Sequence, residues 1–255
     1  MTRIISVISG KGGVGKTTLV SNLGASLAKK GKNVTVIDGN VTGANLGMHL
    51  GLPSADCYPI SLNEVLRNDA FITQAMYRHP AGFSVIPAYL DEISLDYGGL
   101  KKCIKPLIGA NDFILIDSAA GTDKEVEAAV ESSDAVIIVT NPEHPAVANA
   151  VAAKKLAERK GKEVLGLVLN KVMREGHELT QESIESMTEM PVLATLHDHR
   201  KVREAIAHRT PLVMHAPKNR TAKSIVQLAG YLCGEEPQKQ GLAALHEQIR
   251  TFLKI

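Results

Sequence analysis

A glycine-rich stretch between a strand pattern and a helix pattern constrains the fold of this 255-residue chain more than any other feature. The residues before it, 3–9, are apolar and β-branched, and those after it, 18–30, repeat apolar positions at helical spacing. The stretch itself reads Gly10, Lys11, Gly12, Gly13, Val14, Gly15, Lys16, Thr17, Thr18. Two glycines with four residues between them, followed by Lys and Thr, predict a loop that binds phosphate through backbone N–H groups at a helix N-terminus.

Side chains around this loop predict a nucleotide site that holds a magnesium ion. Lys16 can reach the β- and γ-phosphates, and the Thr17 hydroxyl is a magnesium ligand in loops of this kind. Asp117 follows the apolar run 113–116, an arrangement that holds magnesium, usually through water. Asp38 ends a similar run and brings a second carboxylate beside the phosphates. The predicted metal site is therefore Thr17 with Asp117.

Composition agrees with one globular α/β domain and excludes several other classes. The chain is 44% hydrophobic and 22% charged, and its net charge of +2 is too small to indicate nucleic-acid binding. The three cysteines are far apart and form no Cys-x-x-Cys pair, which disfavours a disulfide scaffold, a zinc ribbon or a paired-thiolate cluster site. No apolar run approaches the roughly 18 residues of a membrane span, and the first strand starts at once, so we expect a cytoplasmic protein.

Strand and helix patterns alternate along the rest of the chain. Several strand patterns are apolar throughout, as in strands buried on both faces. They are 33–38, 83–87, 113–117, 135–140, 164–170 and 191–196, with helical patterns at 62–67, 100–108, 124–132, 146–159, 179–187, 202–207 and 221–233. We predict a single domain over 1–233 with a seven- or eight-stranded, mostly parallel sheet and helices on both faces. The phosphate loop and both acids then lie at the carboxyl ends of strands, where such sheets bind ligands.

Several motifs, in order, resemble the MinD/ParA class of ATPases with a deviant phosphate loop, whose hallmark is the extra lysine at Lys11. The segments that resemble this class are 11–18, 38–51 (its first switch), 117–121 (its second switch), 140–143, 168–171 and 196–198. The likeness covers nearly all of residues 1–232, and 140–143 resembles the MinD branch in particular.

The resemblance implies roles for individual residues. Lys11 would reach across an ATP-bound homodimer to the phosphates of the other subunit and act, with Lys16, in catalysis. Thr18 would add a hydroxyl to the α-phosphate. Asn170 would read the adenine edge, and the loop at His197 and Asp198 would pack against the base. ATP and Mg²⁺ are the expected cofactors.

Three positions depart from the pattern of the class. Asn40 stands where a second acid, after Asp38, usually orients the attacking water, and an amide cannot take a proton. Slow hydrolysis and a long-lived ATP dimer follow as a hypothesis. Ala119 replaces the usual proline of the second switch. His197 stands near the base, where an acidic residue is common.

The last residues predict a separate element. Residues 234–240 are a polar linker, and 241–255 form an amphipathic helix pattern. Its apolar residues lie within about 100° of arc; they are Leu242, Leu245, Ile249, Phe252 and Leu253. This pattern resembles the membrane-targeting helix of the class, which predicts peripheral binding to an anionic membrane. The alternative is a helix docked on the chain itself or on a partner.

Three functions remain open from the sequence. The first is an ATP-switched dimer that positions cell machinery at a membrane and acts with an unknown protein partner. The second is a ParA-like partition ATPase on DNA, which the weak net charge does not favour. The third is an ATP-driven carrier of a metal or cluster, which the missing cysteine pairs disfavour. His197, Asp198 and His199 look like metal ligands, but a solvated loop before a helix explains them better.

Overall fold

The computed structural model describes residues 1–52, 58–90 and 97–235. The amphipathic segment 241–255 and linker residues 236–240 lie outside the described residues, so the predicted division of the chain at 233 and 240 stays a prediction. The described residues form one α/β unit that is built on a single sheet with helices packed against it.

Eight strands form this sheet, in the order β3-β4-β2-β5-β1-β6-β7-β8. Their bounds are β1 Arg3–Ser9, β2 Val34–Gly39, β3 Tyr77–Arg78, β4 Ser84–Ile86, β5 Phe113–Ala120, β6 Ala135–Thr140, β7 Glu163–Val172 and β8 Val192–His197. All neighbouring pairs are parallel except β3 with β4. The central strands are buried along almost their whole length because helices cover both faces, as their continuously apolar sequences predict.

Ten α-helices lie between the strands and after the last strand in the described part of the chain. Their bounds are α1 Lys16–Lys29, α2 Leu46–His49, α3 Leu62–Leu66, α4 Leu100–Cys103, α5 Lys124–Ser132, α6 His144–Arg159, α7 Gln181–Thr188, α8 Arg200–Ala207, α9 Leu212–His215 and α10 Arg220–Leu232. Helices α1 and α10 pack together on one face of the sheet, and α5 and α6 pack against its strands. None of the helices in the described ranges is long and apolar enough to cross a membrane.

The predicted fold class is confirmed, and the differences are local. The helix predicted over 100–108 is in fact α4 followed by a 3₁₀ turn, Lys105–Leu107, with Pro106 at its start. Proline lacks an N–H, so it interrupts the helical hydrogen-bond ladder. Strand β5 continues past Asp117 to Ala120, since its last residues still pair with β1 and β2.

Candidate functional site

The phosphate loop joins β1 to α1, and its glycines are required by its shape. Gly13 and Gly15 have φ angles of 73° and 101°, in the left-handed region that favours glycine. Gly15 is the N-cap of α1, so the first N–H groups of that helix point toward the loop. A Cβ on Gly10 would collide with the backbone carbonyl of Asn149 in α6. The curved shape of the loop is therefore set by its glycines and by its packing on α6.

Lys16 is buried, and its ammonium group lies next to Ser9, the residue before the loop. Only 8% of the residue is exposed, and its Nζ donates a hydrogen bond to Ser9 Oγ at 2.9 Å. Burial lowers the pKa of Lys16, and the charge of Asp117 partly opposes that shift. An ammonium group in such a position gains when an anion enters the loop, because it has lost much of its hydration.

The two predicted acids are direct neighbours in the sheet. Asp38 on β2 pairs in register with Asp117 on β5, and both are fully buried. Asp38 accepts hydrogen bonds from the N–H groups of Leu46 at 3.0 Å and Asn40 at 3.2 Å. Burial, and next the charge of Asp117, raise the pKa of Asp38, while these N–H groups oppose the shift. The neighbouring Asp117 has no such set of donors.

Asp117 is a buried carboxylate that is only partly compensated by its surroundings. Neither of its oxygens accepts a hydrogen bond within the described ranges. Burial raises its pKa to about 6, against the nearby Thr17 hydroxyl and Lys16 charge, which both lower it. An isolated buried anion costs free energy unless a positive partner compensates it. A divalent cation is such a partner.

The residues at this point fit Mg²⁺. The free oxygens of Asp117 and the Thr17 hydroxyl are hard oxygen ligands, and magnesium usually takes one or two protein ligands together with nucleotide phosphates and water. The Thr17 hydroxyl donates to Asn45 Oδ1 at 2.9 Å, which leaves its oxygen lone pairs available. Bound there, the ion would neutralise phosphate charge next to Lys16.

Comparison with known proteins places this geometry in a family. Residues 5–212 match the model of the CobQ/CobB/MinD/ParA nucleotide binding domain. The chain belongs to this family. This chain is 35% identical over 260 residues to an ATP-binding protein of Methanocaldococcus jannaschii. The alignment covers 100% of this chain and 96% of that protein.

Two solved structures of MinD have folds that are similar to that of this chain. The septum site-determining protein MinD of Pyrococcus horikoshii, complexed with Mg-ADP, has 32% identity and a TM-score of 0.86, covering 96% of this chain and 99% of that one. MinD of Aquifex aeolicus, solved as a MinC:MinD cell division complex, has 29% identity and a TM-score of 0.84, covering 93% and 98%. The chain is thus a MinD-like member of this nucleotide-binding family.

The positions that the resemblance assigns to adenine lie on two different strands, one of which is next to the phosphate loop. Asn170, on β7, donates from Nδ2 to the carbonyl of Val14 at 2.7 Å, so it contacts the loop directly. His197 and Asp198 follow at the end of β8, one strand farther along the sheet, where Asp198 pairs with Arg203 at 2.6 Å. The structure thus brings Asn170 to the loop, while the contact of 197–198 with adenine stays a prediction.

Lys11 stands apart from the other loop lysine. Nearly half of its side chain is exposed, and its Nζ lies 3.3 Å from Glu143 Oε2. Exposed ion pairs of this kind contribute about 0–1 kcal/mol, so the contact holds Lys11 only weakly. Thr18 lies in the first turn of α1, and Gly12 is exposed, with Ala120 3.9 Å from the position of a Cβ on it.

The loop that follows β2, residues 40–45, contains the unusual Asn40. Its amide Nδ2 donates to the carbonyl of Gly43 at 2.8 Å, and the N–H of Gly43 donates back to the Asn40 carbonyl at 3.2 Å. The amide therefore stabilises a tight turn. Sequence analysis missed Asn45, which the Thr17 hydroxyl contacts, and Glu125, which contacts this loop from α5. Only an acid in the first turn of α5 was visible in the sequence, and many helices begin that way.

Proposed function

We propose that this protein is a switch ATPase of the MinD type that binds Mg-ATP, dimerises in the ATP state and hydrolyses ATP slowly. The observation that carries the proposal is Asp117, a buried carboxylate that accepts no hydrogen bond within the described residues and lies near Lys16 and Thr17. A buried carboxylate of this kind is stabilised by a bound cation, and the glycine loop next to it is suited to bind phosphate. The Mg-ADP complex of the Pyrococcus horikoshii MinD supports the same pairing.

Slow hydrolysis follows from the chemistry of Asn40. A carboxylate at this position can accept a proton from the attacking water, whereas an amide can only donate to it or accept a hydrogen bond from it. The Asn40 amide also donates to Gly43, which reduces its freedom to orient water. We infer that binding sites for phosphate and metal are complete while water activation is weak, so the ATP state persists.

Dimerisation is proposed for Lys11. Its weak pair with Glu143 can be exchanged for the phosphates of a second subunit, because a charge-assisted contact with phosphate is stronger than an exposed ion pair. Lys16, in contrast, is buried and bonded to Ser9 within its own subunit. The two lysines therefore predict different phenotypes.

Lys11→Ala tests this division of roles. The variant should bind ATP within about threefold of the wild type, because Lys16 still provides a charge-assisted contact to the phosphates. The ATP-dependent dimer should disappear in light scattering. Lys16→Ala should lose ATP binding and dimerisation together, and Lys29→Ala, an exposed lysine of α1, should change neither. If Lys11→Ala still dimerises with ATP but binds it poorly, Lys11 acts within its own subunit and the proposal fails.

Membrane association through 241–255 is the last part of the proposal. One short amphipathic segment gives marginal affinity, whereas an ATP dimer presents two and can gain about a hundredfold or more by avidity. Removal of 241–255 should abolish ATP-dependent sedimentation with anionic liposomes and leave ATP binding intact. Phe252→Glu should do the same because it puts a charge in the apolar arc. Equal sedimentation of the truncated protein would rule out this role, and retention on DNA instead would favour partition on DNA.

A partner protein and a location complete the proposal. The MinC complex of the Aquifex aeolicus MinD supports a protein partner for this chain as well, and we propose that this partner recognises the ATP state. We propose a cytoplasmic protein that reaches the membrane surface only as an ATP dimer.

A further inference from the structure

A carboxylate from α5 holds the loop 40–45 from outside the nucleotide site. Glu125 Oε1 accepts the backbone N–H of Thr42 at 2.9 Å, and Oε2 accepts the Thr42 hydroxyl at 2.8 Å. Glu125 is 8% exposed, while Thr42 lies at the surface. A buried carboxylate that accepts two hydrogen bonds from one residue 83 positions away is a specific contact, because an unsatisfied charge there would be costly.

Tyr97 lies near Glu125. Burial, and next the nearby Glu125 carboxylate, raise the pKa of Tyr97 to about 12. Helix α5, which carries Glu125, packs against the 3₁₀ turn Tyr97–Gly99, and Glu125 itself contacts the turn Val41–Gly43 through Thr42. The carboxylate is therefore held by the two donors of Thr42, and Tyr97 lies next to it.

The loop that Glu125 holds is attached to the nucleotide site at both ends. At one end the Asn40 N–H donates to Asp38, and at the other Asn45 accepts the Thr17 hydroxyl. Thr42 lies between these two contacts. Helix α5, which carries Glu125, begins four residues after Ala120, where β5 with Asp117 ends. Glu125 therefore links the loop after one buried acid to the helix after the other.

We propose that Glu125 is a positioning residue that sets the orientation of Asn40 relative to the cation site and thereby the rate of ATP hydrolysis. The inference rests on the proposed function. Glu125 acts through Thr42, whose backbone lies two residues from Asn40, and does not touch the phosphate loop in the contacts described. Its loss should change the rate of the chemical step more than ATP affinity, because the glycine loop and Lys16 remain intact.

Glu125→Gln and Thr42→Val test the contact from its two sides. Gln keeps the shape of Glu125 but presents an NH₂ group to one of the two donors of Thr42, and Val removes only the Thr42 hydroxyl. Thr42→Ser retains both donors and should behave as the wild type. Glu127→Gln is the matched control, since Glu127 lies on the same helix and pairs with Lys160 at the surface at 3.0 Å.

Hydrogen exchange of residues 40–46 without nucleotide is the first measurement, and steady-state hydrolysis with Mg-ATP is the second. Glu125→Gln and Thr42→Val should each exchange about tenfold faster in this segment, as expected for loss of a charge-assisted hydrogen bond. Their kcat should fall about fivefold, with KM within about twofold. The double variant should be no slower than Glu125→Gln alone, because both changes remove one contact.

Unchanged exchange in both variants, or faster exchange with an unchanged kcat, would overturn the proposal. So would a Thr42→Ser variant as impaired as Thr42→Val. If Glu125→Gln does not fold, Thr42→Val decides the outcome alone. Failure of the wild type to bind Mg-ATP would instead contradict the proposed function, and the exchange measurement, made without nucleotide, still tests the contact.

Discussion

The two loops that border the site are built in different ways. The phosphate loop takes its shape mainly from its own glycines, through the positive φ angles of Gly13 and Gly15, together with the close packing of Gly10 on α6. The loop 40–45 has one turn of its own, between Asn40 and Gly43, and is otherwise held by side chains elsewhere, among them Thr17 and Glu125. The conformation of the phosphate loop is therefore fixed by its glycine positions. A loop held by others changes when they change.

This difference suits a nucleotide switch. Hydrogen bonds contribute about 0.5–1.5 kcal/mol each, or about 1.5–3 kcal/mol when one partner is charged, so a ligand can exchange a few of them. The Thr17 hydroxyl, a predicted magnesium ligand, already contacts Asn45 in the second loop. Binding at the first loop therefore acts directly on the contacts that hold the second.

Gly10→Ala should break the phosphate loop and give the largest effect. The new Cβ would collide with the Asn149 carbonyl of α6, so the loop must move away from the helix. Overpacking of this kind costs about 1–3 kcal/mol, and we expect ATP affinity to fall about a hundredfold, together with a lower melting temperature. Isothermal titration with ATP and a thermal melt measure both.

Gly12→Ala is the control for that experiment. A Cβ on Gly12 meets only Ala120, at 3.9 Å, and its φ angle is not in the left-handed region. ATP affinity within about twofold of the wild type is expected, since a contact at this distance is ordinary packing. Equal losses in the two variants would show that the loop is not defined by its packing on α6.

Asn40→Asp sharpens the contrast from the side of the second loop. Restoring a carboxylate gives the attacking water a proton acceptor, and we expect kcat to rise about tenfold, at the low end of what general bases contribute. KM for ATP should change little because the phosphate loop is untouched. The rise should be smaller when Glu125→Gln is combined with it. Equal kcat for Asn40→Asp and the wild type would mean that another group, or a partner, activates the water.

The same contrast explains what the sequence could and could not predict. The phosphate loop, Asp38 and Asp117 were predicted because each depends on residues adjacent in the chain, namely a strand, a glycine spacing and a strand end. The contacts of Asn45 and Glu125 were not, since their partners lie 28 and 83 residues away and no local pattern encodes them. Strand β3 has two residues, too few for an alternating pattern, and its antiparallel pairing with β4 gave no signal of its own.

The smallest predicted effect is the change of Mg²⁺ affinity with pH, which depends on the protonation of Asp117. Its pKa in the folded protein is about 6, above the ordinary value of 3.8, because burial penalises the charge. The folded, ligand-free protein therefore binds this proton more tightly than the unfolded chain does. The favourable contribution is complete below about pH 4 and is lost as pH rises through about 6. Mg²⁺ competes with the same proton, so its affinity changes in the opposite direction.

Affinity for Mg²⁺ should fall about twofold between pH 7.5 and pH 6, where half of Asp117 is protonated. Titration of the ADP complex with Mg²⁺ at the two pH values measures this change. Asp117→Asn is the control, because the amide cannot titrate, and any pH dependence left in it belongs to the nucleotide phosphates. The variant should also be more stable than the wild type without ligand at pH 7.5, since it removes a buried charge that accepts no hydrogen bond in the described contacts, and this advantage should vanish near pH 4. A pH dependence of the same size in Asp117→Asn would remove Asp117 from the metal site.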